Sequence, residues 1–230
     1  RVVVIGGGIA GCSSALALAG RGVSVTLLEA SSRLGGRYCS VDIGGIERPI
    51  DGTQNVFFRN FDRFLQLLAT CEARESVKLQ NSTLLAFLEV EQRRISKIKS
   101  GTLPPPNHLS ASFLNANFLG IGDKISMQKA VQAMQNTDEE QRRELDELSF
   151  LEWLENNGQT KRAISRFWNP ISKLALNVDC SQASAASAIF LFKKALIGNA
   201  DALDFGCFTN DFTNAVSSSL RRTLAASGVD

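Results

Sequence analysis

The run Gly6-Gly7-Gly8-Ile9-Ala10-Gly11, set directly after the β-branched stretch Arg1-Val2-Val3-Val4-Ile5, constrains this chain more than any other feature. An apolar strand that breaks into glycines and then into small residues suited to a helix, Ser13 to Ala19, reads as the opening of a βαβ unit. The period-two pattern returns after Gly22 in Val23-Ser24-Val25-Thr26-Leu27-Leu28 and ends on Glu29. Gly6 permits the tight turn out of the strand, Gly8 lets backbone approach a pyrophosphate, and Gly11 lets the helix lie close to the sheet. The free N–H groups and positive dipole end of that helix face the phosphates, so Gly6, Gly7, Gly8, Ile9, Ala10 and Gly11 are all expected at the site. Glu29 follows Gly11 by eighteen residues. A carboxylate there accepts the hydroxyl protons of an adenosine ribose and repels a 2′-phosphate. The expected site is one for the ADP half of a dinucleotide.

A chain of 230 residues buries a sizeable core, and 44% hydrophobic with 21% charged residues is the composition of a globular domain. A net charge of +2 gives no reason to expect nucleic acid as a partner. No apolar run is long enough to read as a transmembrane helix. Cys12, Cys39, Cys71, Cys180 and Cys207 are scattered and never form C-x-x-C, which argues against a disulfide framework and a cysteine metal site and fits a reducing compartment such as the cytoplasm. Arg1 stands directly against the first strand. Ala225 to Asp230 reads as a helix end, a capping glycine and the opening of another strand, so the chain is expected to be a truncated piece whose targeting segment cannot be read.

Past Glu29 the chain continues Ala30-Ser31-Ser32-Arg33-Leu34-Gly35-Gly36-Arg37, which offers backbone N–H groups and guanidinium to a pyrophosphate or a flavin edge. Arg33 reads equally well as a solvated charge. Taken together, Gly6-x-Gly8-x-x-Gly11, Val25 to Ala30 and Arg33 to Arg37 resemble the N-terminal signature of FAD-dependent amine oxidases and carotenoid-type desaturases. The resemblance implies FAD, with Glu29 on the adenosine ribose, Arg37 near the pyrophosphate, and Ala30, Arg33 and Gly36 in the same cofactor-binding set. It also implies an α/β fold: a Rossmann-like FAD-binding domain with a parallel sheet, carrying an inserted α+β substrate domain. The expected division is 1–75 for the first part, 76–205 for the insertion and 206–230 for the return.

Tyr38 to Ile50 alternates around Gly44-Gly45 and reads as a β-hairpin leading into Asp51-Gly52-Thr53-Gln54. In the same superfamily such a segment passes under the flavin ring, which would give Gly52 the close approach and Thr53 and Gln54 hydrogen bonds to the ring edge. The plain alternative is a turn built on Asp51 and Gly52. Asn60 is expected to cap a helix from Phe61 to Thr70. Leu84 to Val90 and Ile95 to Lys99 read as paired strands, and Leu103 to Pro106 as an extended break. The only histidine, His108, has no second histidine to share a metal with and is assigned to the surface. The apolar stretch Leu109 to Leu119 reads as core, as the lining of a substrate channel or as a membrane contact. Ser126 is expected to open a helix through Gln135, Asp138 to Leu148 to form a charged helix, and Ser149 with Glu152 to form a capping box. A last helix spans Asp211 to Ser227.

Arg166-Phe167-Trp168-Asn169-Pro170-Ile171-Ser172 reads as a helix broken at proline. With Leu174 to Asn177 and the Ala183-Ser184 that follows, it resembles the substrate-domain segment of squalene-associated FAD-dependent desaturases, the hydroxysqualene dehydroxylases; phytoene and ζ-carotene desaturases have a related stretch. The resemblance implies a flavoenzyme acting on a long apolar isoprenoid, with reductive dehydroxylation of hydroxysqualene as the leading reaction. Carotenoid desaturation or amine oxidation is the alternative. A non-catalytic lipid-binding escort protein of the same fold is the third reading. An apolar substrate goes with peripheral membrane contact, no metal is expected, and no catalytic residue is identified.

Overall fold

The computed structural model describes residues 1–52 and 56–230, and the chain divides into two compact units, 1–80 with 205–230, and 81–204. In the first unit β1 (Val2–Ile5) leads into α1 (Ile9–Ala19), and β2 (Val25–Leu28) returns parallel to β1, pairing Val2 with Val25 through Ile5 with Leu28. A parallel pair needs a crossover, and α1 supplies it. Next, β3 (Ser40–Val41) and β4 (Ile50–Asp51) pair antiparallel; Ile46 N donates to Ile43 O at 3.1 Å, closing the turn on Gly44-Gly45. They are followed by β5 (Val56–Phe58), α2 (Asp62–Thr70) and β6 (Val77–Leu79). Asn60 does not cap α2. The helix starts one residue later than expected, Phe61 takes the cap position without a side-chain bond, and Asn60 Oδ1 is buried and unpartnered.

The second unit opens on the antiparallel hairpin β7 (Leu84–Glu89) and β8 (Arg94–Lys99). The prolines do not extend the chain. They turn it, with Asn107 N donating to Pro104 O at 2.9 Å, into a 3-10 turn over Asn107–Leu109. His108 is therefore not on the surface. It is 3% exposed, its Nδ1 is unpartnered, and burial pushes its pKa down. Helices α3 (Ser110–Leu114), α4 (Ile121–Asn136), α5 (Glu139–Glu144) and α6 (Phe150–Asn156) follow. The α4 helix begins five residues before Ser126. Gly122 hides the first turn from a propensity reading, and Asp123 secures it by accepting from Gly120 N at 2.7 Å. The Ser149 box forms as expected, with Ser149 Oγ accepting from Glu152 N, a contact type contributing about 1 kcal/mol.

Pro170 does not break its helix. The short α7 (Lys161–Ala163) widens into a π turn at Ile164–Trp168 and continues as α8 (Asn169–Leu176), so the ring and missing N–H fall just after the wide turn. The segment ends at Asn177 in a left-handed conformation (φ 60°), and α9 (Ala185–Phe192) follows, capped by Ser184. Around Trp168 the core of this unit is aromatic: Phe167, Phe150 and Phe192 meet its ring edge-on with centroids 5.0–6.1 Å apart. Trp168 Nε1 donates to Gln159 Oε1 at 2.9 Å, and Gln159 Nε2 donates to Ser126 O, which ties α4 to the π turn.

Asp123 joins the same layer by accepting from the Thr160 hydroxyl. Its burial works to raise the pKa, but the Thr160 and Gly120 hydrogen bonds and the Arg162 charge prevail, so the carboxyl is held below the usual range. A carboxylate with a lowered folded-state pKa contributes stability that is present above its unfolded value, near 4, and is lost as pH falls through the folded value. Acid unfolding of the wild type below about pH 4 is expected to be steeper than that of Asp123→Asn. Parallel acid titrations followed by circular dichroism check this, and identical slopes would count against it.

The chain then returns to the first unit. β9 (Phe205–Phe208) inserts between β5 and β6, antiparallel to both, and Gly206 is required there because a Cβ would lie 2.5 Å from the Phe57 ring. The last helix starts later than Asp211, which instead caps it by accepting from Asn214 N; a π turn (Thr213–Ser217) precedes α10 (Ser218–Ala226). Beyond Gly228 the chain joins β2, with Leu27 N donating to Asp230 O and Asp230 N to Val25 O. Cys12, Ala15, Val25, Leu68, Phe212 and Leu220 form the buried centre of this unit.

Candidate functional site

The strand β1 ends at Gly6, whose φ of +100° turns the chain in a conformation open to glycine. Gly8 is the N-cap of α1 and has no side chain to satisfy the first-turn N–H groups, and the first turn carries no acid. The donors of Ile9, Ala10 and Gly11 therefore meet no side-chain cap, and no acid within the first turn of the helix offsets its positive end. The turn is drawn tight against the helix: a Cβ on Gly11 would lie 1.8 Å from Gly6 O. In front of Gly6 there is open space, and a Cβ on Gly8 would meet only Gly36 Cα, at 3.8 Å.

The carboxylate of Glu29 lies against this turn. One oxygen accepts from Gly7 N at 2.6 Å and the other from Ser31 N at 2.8 Å, and a Cβ on Gly7 would come within 3.0 Å of Glu29. The Ser31 and Gly7 N–H groups hold its pKa below the usual carboxylate range, so the group is an anion with a further lone pair on each oxygen. The second glycine pair closes on the first. Gly35 N donates to Gly7 O at 2.8 Å, and Gly36 packs so near Gly8 that a Cβ would sit 3.0 Å from its Cα. Gly6, Gly7, Gly8, Ile9, Ala10, Gly11, Glu29 and Gly36 are thus brought together, with Ala30 beside Glu29 and the exposed Arg37 directly after Gly36. Arg33 takes a different direction, its Nη1 donating to Ser40 O at 3.2 Å. Beneath the turn Cys12 Sγ donates to Gly7 O, and burial pushes its thiol up to about 11, so it is a packing group and not a nucleophile.

Gly52 N donates to Cys39 O at 2.7 Å. A Cβ there would meet Cys39 atoms at 3.5 Å, an ordinary contact, so the chain itself does not demand glycine. Gly52→Ala is expected to leave the melting temperature within about a degree or two; a thermal melt showing a loss of several degrees would count against the open contact with Cys39. Thr53 and Gln54 lie outside the described residues. Local sequence gave no sign of Ser31 as a partner of Glu29, nor of the pair that fixes Asp51, whose Oδ1 accepts from Ser40 Oγ at 2.8 Å and Phe212 N at 2.9 Å.

The second unit contains a groove of about 760 Å³ floored by Met127, Phe167 and Trp168, with Leu114, Ile121 and Ile125 exposed at its rim. Its polar lining is mostly amide, from Gln128, Gln132 and Gln135; the single cation, Lys124, donates to Leu114 O at 2.7 Å. The volume is that of a small-molecule site, and a mostly apolar lining whose one cation is tied to a backbone carbonyl suits an apolar ligand. Among the described residues no helix is long and apolar enough to cross a membrane, and no group of three His, Cys, Asp or Glu could hold a metal ion.

Residues 9–203 match the family described as flavin-containing amine oxidoreductases. The zeta-carotene desaturase of Solanum lycopersicum is 29% identical over 202 residues, which cover 84% of this chain and 34% of that protein. The carotenoid phi-ring synthase of Chlorobaculum tepidum is 27% identical over 244 residues, covering all of this chain and 36% of that one. Among solved structures, an oxidoreductase from Methanosarcina mazei superposes with a TM-score of 0.68 at 16% identity over 99% of this chain and 50% of that chain, a likeness of fold. The chain spans about a third of the length of these curated relatives and half of the solved one.

Proposed function

The chain belongs to the family of flavin-containing amine oxidoreductases, and from that premise we propose that it supplies the ADP-binding part of an FAD site and a substrate unit of an oxidoreductase acting on a long apolar isoprenoid. The observation that carries this reading is the uncapped glycine turn with an ionised Glu29 beside it. The residues fit the group: open space before Gly6 and Gly8 admits a pyrophosphate, the first-turn N–H groups of α1 donate to it, and each Glu29 oxygen keeps a lone pair for a ribose hydroxyl. Arg37, exposed and directly after Gly36, is assigned to the pyrophosphate. FAD, when bound, supplies the two-electron chemistry; the protein orients it and keeps the pocket dry. Residues 1–80 with 205–230 are assigned to the cofactor and 81–204 to the substrate, whose apolar groove supports a hydrocarbon ligand.

Carotenoid desaturation is the reaction we assign first, because both curated relatives described above carry carotenoid names. Dehydroxylation of hydroxysqualene is the second reading, supported by the Phe167 to Asn177 segment. Full-length protein reconstituted with FAD should show flavin absorbance near about 450 nm and convert phytoene or ζ-carotene to a longer-wavelength chromophore. Squalene from hydroxysqualene under reducing, anaerobic conditions, with no desaturation, would select the second reading. Absence of bound flavin would select a lipid-binding escort role. Glu29→Gln, which removes the charge but keeps one acceptor, is expected to weaken FAD binding about tenfold or more in a flavin titration of the apoprotein.

A further inference from the structure

A second cleft lies in the first unit, formed between the loop at Ser31–Leu34 and the last helical segment. Its volume is about 600 Å³, and its lining carries three guanidinium groups, Arg33, Arg221 and Arg222, with hydroxyls from Thr213, Ser217 and Ser218 and no carboxylate. Each arginine is steadied by an uncharged partner. Arg33 Nη1 donates to Ser40 O at 3.2 Å, Arg221 Nη2 to Ser32 O at 2.6 Å and Arg222 Nη2 to Ser219 Oγ at 3.2 Å. These bonds use a minority of the five donors each guanidinium has. The nearest acid on this stretch, Asp211, has its carboxylate bound by Asn214 N and Nδ2.

The loop separates this cleft from the glycine turn. Through Gly35 and Gly36 it contacts Gly7 and Gly8; through Ser32 and Leu34, whose carbonyls accept from Arg221 and Ser217, it contacts the last helical segment. Three like charges held on neutral partners in one concavity repel one another, and an anion relieves that repulsion. Guanidinium forks match the oxygens of a phosphate, and serine and threonine hydroxyls add neutral donors. We propose that this cleft is a binding site for a phosphate-bearing anion, separate from the FAD pyrophosphate site. The ligand chemistry is a multiply charged phosphate group, whether on a soluble phosphate compound or on a lipid headgroup.

The test uses full-length protein saturated with FAD, so that the glycine turn is already occupied. Inorganic pyrophosphate is titrated calorimetrically at low and high salt. In parallel, the protein is sedimented with phosphatidylcholine vesicles containing or lacking phosphatidic acid. The expected result is saturable binding to one of the two, weakening with salt and falling at least tenfold in the double variant Arg221→Gln, Arg222→Gln. Pyrophosphate binding without vesicle binding identifies a soluble phosphate compound, and binding only to phosphatidic acid vesicles identifies a headgroup. If the double variant fails to fold by circular dichroism, Arg33→Gln on the opposite wall replaces it, with the same expected loss. Failure of the wild type to bind either probe, or binding unaffected in a folded variant, overturns the proposal.

Discussion

Gly11→Ala is expected to leave a protein that no longer retains flavin. The added Cβ would lie 1.8 Å from Gly6 O, and the obstacle is backbone, not the end of a flexible side chain. Either α1 lifts away from the turn or the turn opens, and both displace the Gly7 N–H that holds Glu29. Overpacking a well-filled site costs about 1–3 kcal/mol, and a backbone collision belongs at or above the top of that range. The measurements are the flavin-to-protein absorbance ratio and the melting temperature of the purified full-length variant. Stoichiometric flavin with an unshifted melting temperature would falsify the geometry described for the turn. Gly52→Ala is the matched contrast, since its Cβ meets only ordinary contacts.

Trp168→Ala is expected to destabilise the second unit by about 3–5 kcal/mol, the usual cost of deleting a fully buried tryptophan. The ring is 1% exposed and lies among Phe150, Phe167 and Phe192. Its loss also strands Gln159 Oε1, which accepts the indole N–H inside the core. Trp168→Phe separates the two contributions: it keeps most of the ring volume but leaves that acceptor unpaired, at about 1–3 kcal/mol. Chemical denaturation followed by circular dichroism ranks wild type, Phe and Ala in that order. Because Phe167 and Trp168 floor the apolar groove, the Phe variant also asks whether that segment serves packing or ligand contact.

What the sequence made legible was local. Gly6 to Gly11 with the flanking apolar runs, the Ser149-Glu152 box and the β7–β8 hairpin each depend on residues a few positions apart, and all appear in the structure. The readings that failed depended on distant partners or on irregular helix. His108 is buried by a turn that closes through Gly101 N and its own carbonyl, and Pro170 is tolerated because a π turn precedes it. The second glycine pair was visible, but part of its cause was not. Gly35 is required locally by its φ of +119° and by Tyr38 O, but also by Phe212, whose ring would lie 2.6 Å from a Cβ, and no local pattern connects residues so far apart. Arg33 was ambiguous between a cofactor ligand and a surface charge because its neighbours Arg221 and Arg222 arrive from the far end of the chain.

The central strand of the β5–β9–β6 sheet has a kinetic consequence. Gln80 and Phe205, which bond where β6 meets β9, are separated by 125 residues, so the two outer strands have no common neighbour until the intervening segment has been made. At ribosomal rates that delay is on the order of ten seconds. During it, residues 81–204, rich in helical and hairpin contacts, have time to collapse first and so shorten the loop that β9 must close. The nascent chain thus has an order of assembly written into its topology: the hairpin and helices of residues 81–204 first, the interrupted sheet after them.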